Sequence, residues 1–179
     1  DFDQDLKDAY YLHLRLGDLK GRITWDDDRD RILFSKIQVS RGRTSYDADG
    51  VIEVGKNKDS VELAVRIPLG DIQDMVHVFY DMTRDLWWFP REINGPMRGD
   101  VKVFGGLSLD KLNVTARVNG TDWQYWGERF ESVQLQGGFE RGTYQVSELS
   151  AIKRTGRLFG RISFDTDKAL DWGVHTENF

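Results

Sequence analysis

Asp26, Asp28 and Asp30 fall in the D-x-D-x-D spacing with which a calcium loop gathers carboxylate oxygens around a hard cation. Such a loop also needs glycine at its sixth position for a sharp turn and glutamate at its twelfth to close the shell with two oxygens. Those positions hold Arg31 and Ile37, so the run reads as a solvated hairpin tip. His13, His77 and His175 are scattered, none followed by a second histidine at i+3 or i+4, and give neither a helical metal pair nor a triad. The chain has no cysteine, which excludes thiolate zinc sites, cysteine nucleophiles and disulfides. No G-x-S-x-G, P-loop or dinucleotide fingerprint lies between a strand and a helix. We assign no catalytic residue, no metal and no cofactor, and read the chain as non-enzymatic.

Two further sets carry side chains that could recognise a ligand. Asn113-Val114-Thr115 and Asn119-Gly120-Thr121 match the glycosylation sequon but read more simply as a strand start and a hairpin turn. Trp87-Trp88-Phe89 and Trp123-Gln124-Tyr125-Trp126 concentrate aromatic surface. Exposed, such clusters stack on sugars or sit at a lipid interface; buried, they would close the ends of a core and cover a helix.

The elements that must position these residues are mostly strands. The exception is residues 70–90, where Ile72, Met75, Val76, Phe79 and Leu86 form one helical stripe. Asp71 stands at the N-cap, Asp74 three residues on resembles an imperfect capping box, and Pro90 supplies the stop. An amphipathic helix alone among strands must bury its stripe against a sheet or the open end of one.

Before the helix, alternation marks strands at Leu12 to Leu16, Gly21 to Trp25, Ile32 to Val39, Thr44 to Tyr46, Val51 to Val54, and Val61, Leu63, Val65 and Ile67. Arg41-Gly42-Arg43 reads as a break, and Asp49-Gly50 as a hairpin turn. After the helix come Val101 and Val103, Leu107 and Leu109, then Val114, Ala116 and Val118, with Asn119-Gly120 as the next hairpin turn. Val133 and Leu135 lead to a strand end at Gly137-Gly138, and Tyr144 to Val146, Leu149 to Ile152 and Leu158 to Phe164 complete about a dozen short strands. Leu19-Lys20-Gly21-Arg22-Ile23 recurs as Leu158-Phe159-Gly160-Arg161-Ile162 and, more loosely, as Met97-Arg98-Gly99-Asp100-Val101. Irregular recurrence of this kind suits a sheet that grows by similar hairpins, not a closed Greek key.

The bulk numbers are compatible. A chain of 179 residues, 39% hydrophobic and 12% aromatic, is globular. Its net charge of −5, with no local basic block, speaks against a nucleic-acid partner. No apolar run approaches a membrane span. The chain opens on Asp1 and breaks off at Phe179 in mid-pattern, which reads as a segment of a longer protein. We divide it into a β half (1–69), a helix (70–90) and a second β half (91–179).

Residues 93–165 also carry a resemblance. They hold a glycine-bounded G-x-V-x-V-x-G, then W-x-G-x-x-F-x-x-V-x-L-x-G, G-x-Y-x-V-x-x-L, and K-x-x-G-x-L-x-G-x-I-x-F from Lys153 to Phe164. Residues 32–54 repeat the cadence. In this the chain resembles the AsmA-like superfamily, which includes TamB and YhdP, over about two thirds of its length.

The resemblance implies an elongated, curved, taco-like sheet with an apolar inner face. It implies a periplasmic setting in a Gram-negative bacterium, with the parent protein anchored in the inner membrane. It further implies phospholipid or another acyl chain as ligand, carried toward the outer membrane, and an outer-membrane β-barrel as a partner of the whole protein. An acyl chain in an apolar trough gains about 0.8 kcal/mol per buried CH₂. The alternating residues expected to face it are Val61, Leu63, Val65, Ile67, Val101, Val103, Leu107, Leu109, Val114, Ala116, Val118, Val133, Leu135, Ile162 and Phe164. The same residues could line an ordinary closed core. The alternatives are a carbohydrate-binding β-sandwich that uses Trp87, Trp88, Trp123 and Trp126, and a β-rich module that docks a partner's strand on a sheet edge.

Overall fold

The computed structural model describes residues 2–11, 14–55, 59–82, 92–108, 110–165 and 170–178. Among these the chain forms twelve strands and one α-helix in a single antiparallel sheet. The strands are β1 (Phe2–Tyr11), β2 (Leu14–Asp26), β3 (Arg31–Arg41), β4 (Thr44–Glu53), β5 (Ser60–Asp71), β6 (Ile93–Asn94), β7 (Pro96–Gly105), β8 (Leu112–Tyr125), β9 (Glu128–Glu140), β10 (Thr143–Lys153), β11 (Gly156–Asp165) and β12 (Leu170–Glu177). Each strand pairs with its neighbour in sequence. The one interruption lies between β5 and β7, where helix α1 (Ile72–Met82) and the short β6, which pairs with β8, are inserted. The sheet stays open, as the recurring hairpins suggest, and curved, as the resemblance implies.

The turns follow local chemistry. Trp126-Gly127 and Arg141-Gly142 each place two successive residues at positive φ, the backbone of a tight hairpin turn whose twist matches its strands. The acidic run makes the turn expected of it: Asp27–Arg29 is a single 3-10 turn, Asp30 closes it in the left-handed region, and Arg31 pairs with Asp26 at 2.7 Å.

Two expected turns and one expected strand end are absent. Asp49-Gly50, Asn119-Gly120 and Gly137-Gly138 lie inside β4, β8 and β9, and those strands run 10, 14 and 13 residues as a result. These dipeptides do other work. Asp49 accepts the backbone N–H of Lys36 at 2.7 Å, where β3 carries a bulge with Lys36 at positive φ. Gly120 leaves room for an indole: any Cβ there would overlap the ring of Trp123.

The recurring motif acquires a structural meaning. Gly21 lies against the register shift between Phe34 and Ile37 of β3, Gly160 against that between Val146 and Leu149 of β10, and Gly99 beside that between Ile67 and Gly70 of β5. Each copy supplies a residue without a side chain where the neighbouring strand bulges and bends the sheet.

Helix α1 begins as its sequence suggests and then departs from it. Asp71 Oδ1 accepts the N–H of Gln73 at 2.9 Å, a true N-cap. Asp74 does not reach back to close a capping box. Thr44 takes that place: its hydroxyl accepts the Asp71 N–H at 3.0 Å and donates to Asp74 Oδ2 at 2.9 Å. Asp74 also accepts the N–H of Arg43 at 2.8 Å, and Arg43 pairs with Asp71 at 2.6 Å. The helix start is thus bolted to the β3–β4 turn. The expected reach to Leu86 and Pro90, with Trp87 and Trp88, lies outside the described residues.

Ile72 and Val76 pack with Ile67, Met97, Trp123, Val133 and Ala151 into the buried cluster of the fold. No helix among the described residues is long and apolar enough to cross a membrane.

Candidate apolar groove

Directly paired residues in an antiparallel sheet point to the same side, so register alone assigns faces. One face is apolar along rows that run across the strands. A first row passes from β2 to β10 through Ile23, Phe34, Gly50, Leu63, Val103, Val114, Phe139 and Tyr144. A second passes from β3 to β11 through Ile37, Ala48, Val65, Val101, Ala116, Gly137, Val146 and Ile162. Further along lie Ile67, Gly99, Val118, Leu135, Leu149 and Gly160, and then Gly70, Met97, Gly120, Val133, Ala151 and Leu158. The second row crosses eight strands, about 34 Å at about 4.8 Å per strand, without one charged residue. The opposite face presents Glu62, Arg66, Lys102, Arg117, Gln134 and Gln136, all exposed.

A single layer cannot bury its own side chains while it lies flat. Ile37, at 4% exposure, and the buried Val61 and Phe139 therefore report the curl of the sheet over its apolar side. The rows are not covered evenly. The last, with Met97 at 2% exposure, lies beneath Ile72, Val76 and Trp123. The first two rows are buried at Ile37 and Phe139 but stay partly exposed at Leu63, Val65, Val103, Val114 and Ala116. The apolar face is thus a trough with one lip roofed by the helix.

Of the residues expected to face this trough, Val61, Leu63, Val65, Ile67, Val101, Val103, Val114, Ala116, Val118, Val133, Leu135 and Ile162 share the one face. Phe164 holds the register position opposite Tyr144. Leu107 does not belong. β7 stops at Gly105, where the backbone takes φ +110°, and Leu107 lies exposed in the β7–β8 turn. Leu109, read with it as an alternating pair, lies outside the described residues.

Sequence reading missed Phe34 and Ile37, as well as Val146 and Leu149. Each pair is three apart, because a bulge inserts one residue between same-face positions. Apolar spacing of three within a strand-like run was the signal available.

The aromatic clusters divide. Trp123 is 3% exposed, donates its Nε1–H to the Pro96 carbonyl at 2.9 Å and seals the roofed lip, so it offers no platform to a sugar. Trp126, at the β8–β9 tip, is 81% exposed. A sandwich requires a second sheet, and all twelve strands belong to one.

Two tyrosines bring hydroxyls to this region. Burial raises the Tyr144 pKa above the usual tyrosine range. Burial also raises that of Tyr46, with Arg41 lowering it and Asp74 raising it by smaller amounts.

Comparison of the chain with protein-family models, with curated proteins and with solved structures gives no match.

Proposed function

We propose that this chain is a non-catalytic segment of a groove that holds the acyl chains of phospholipid. The observation that carries the reading is the uncharged second row, buried at Ile37 but partly exposed from Ala48 to Ile162, with no second layer over it among the described residues. Water against such a face costs about 25 cal/mol per Å², and an acyl chain laid along the row would relieve that cost without needing any polar partner. A polar headgroup would stay at the mouth, in solvent. A strand added at β1 or β12 would lengthen the trough without changing its cross-section. That property suits a periplasmic carrier of the AsmA-like type, and a β-barrel partner at the outer membrane would pair with the β1 or β12 edge.

The test is lipid extraction and native mass spectrometry of the purified chain, with a photo-crosslinking residue at Val114 or Leu135. Co-purified phospholipid crosslinked at both sites is the expected result. A lipid-free protein whose two sites react with nothing would mean that the face is closed in solution, and would remove the proposal.

A further inference from the structure

The hairpin ends of this sheet fall on two lips, and the lips differ. On the helix side the turns carry Gly42-Arg43, Trp126-Gly127 and Arg154-Thr155. On the far side they carry Asp27, Asp28, Asp30, Asp59 and Asp110, interspersed with Arg29, Lys111 and Arg141. Trp126 is the most exposed large hydrophobic residue among those described, and it sits at φ +48°, left-handed backbone that disfavours any residue with a Cβ. Its ring stacks on the partly buried Tyr125 with centroids 4.8 Å apart and planes 16° from parallel, an aromatic plate whose outer member is Trp126. Neither the exposure nor the backbone helps the fold, so the plate requires another explanation.

We propose that the Tyr125–Trp126 tip is a contact with the interfacial zone of a phospholipid bilayer, which seats the helix-side lip of the trough on a membrane. This rests on the reading of the trough as a lipid groove and names where that groove meets its source. Indole and phenol, each apolar with one polar group, suit the headgroup boundary. The carboxylates nearest the tip are compensated, Asp122 by Arg129 at 3.0 Å and Glu128 by Lys153 at 2.9 Å. The exposed Arg154 and Arg157 on the next hairpin, with Lys153, line a shallow depression shared with Glu131 and Glu177, three cations to two acids, which leaves a small positive excess beside the tip for lipid phosphates. Behind the tip, Phe130 pairs with Trp123, so apolar surface runs unbroken from the plate to the buried cluster at the trough lip.

The experiment is flotation of the intact chain with vesicles of phosphatidylcholine, alone and with one quarter phosphatidylglycerol, alongside Trp126→Asn and Arg154→Ala/Arg157→Ala. Asparagine tolerates left-handed backbone, so the first variant should keep or gain thermal stability. We expect it to bind both vesicle types about ten- to a hundred-fold more weakly. The arginine variant should lose affinity only for the anionic vesicles, and lose it less at high salt. Wild-type protein that fails to float, or Trp126→Asn that floats as well as wild type, overturns the proposal. So does quenching of wild-type fluorescence by soluble glycans with no response to vesicles. A fluorescent fatty acid, added without vesicles, reports the groove separately: it should bind wild type and Trp126→Asn alike, and failure in both would count against the groove and not the tip.

Discussion

The Thr44 hydroxyl donates a 2.9 Å hydrogen bond to Oδ2 of Asp74, thirty residues away, and receives the backbone N–H of Asp71 at 3.0 Å. One buried oxygen thereby joins the β3–β4 turn to the helix N-terminus. It completes with a distant residue the box that Asp74 was placed to close locally. The helix is held over the trough lip from both sides, since Ile72 N–H also reaches the Gly95 carbonyl at 3.0 Å.

Replacing Thr44 by valine keeps the shape, strands the Asp71 N–H and leaves Asp74 Oδ2 with the Arg43 N–H alone. We expect a loss of about 1–3 kcal/mol in denaturant unfolding, with Thr44→Ser recovering most of it. A double-mutant cycle with Asp74→Ala should give a coupling of about 0.5–3 kcal/mol. Additive single losses would show that the two residues act separately.

How far these relationships were legible follows from their range. The alternating runs of β5, β7 and β8 named most of the trough, because a strand with one apolar side writes its face into every second residue. Asp71 was legible as a cap because its partner is two residues away. Thr44 was not, since nothing in T-S-Y marks a partner in a helix thirty residues on. Asp49-Gly50 and Asn119-Gly120 misled for a related reason. Turn chemistry and close-packing chemistry ask for the same residue types, and only the neighbouring strand decides between them. Gly50 has no room for a side chain beside Leu63, and Gly120 none beside Trp123. The mixed fate of the tryptophans, one sealed in and one standing out three residues later, depends on where β8 ends: Trp123 lies within the strand, whereas Trp126 stands in the β8–β9 turn at φ +48°.

Gly120→Ala tests the packing of that seal. The added methyl would displace the Trp123 indole and with it the bond to the Pro96 carbonyl. We expect about 1–3 kcal/mol of destabilisation. Tryptophan emission should shift to the red as water reaches the ring. A variant with wild-type stability and emission would show that the indole does not occupy the site.

Tyr46 and Tyr144 predict the alkaline limit of the fold. Burial raises both pKa values above the ordinary range near 10, so each contributes stability that is fully present below the unfolded tyrosine pKa. That contribution is lost as pH rises through the higher folded values. In a tyrosinate absorbance titration these two should ionise last, together with a fall in unfolding free energy. Tyr46→Phe and Tyr144→Phe should each remove part of the late step. A late step unchanged in both would assign it to other tyrosines.

Ala116 offers the sharpest test of an open trough, because it sits mid-row between Val101 and Gly137 where the floor is lowest. If the face were an ordinary closed core, a phenyl group there would overpack it and cost about 1–3 kcal/mol. Over an open floor the ring of Ala116→Phe can lie across Gly137 with a stability change within about 0.5 kcal/mol. It would then fill the space that an acyl chain needs. The expected outcome is therefore a split: unfolding nearly unchanged, and binding of a fluorescent fatty acid weakened by about tenfold or more. A destabilised protein with undiminished probe binding would place the lipid elsewhere, and a destabilised protein that never bound the probe would mean that the row is packed.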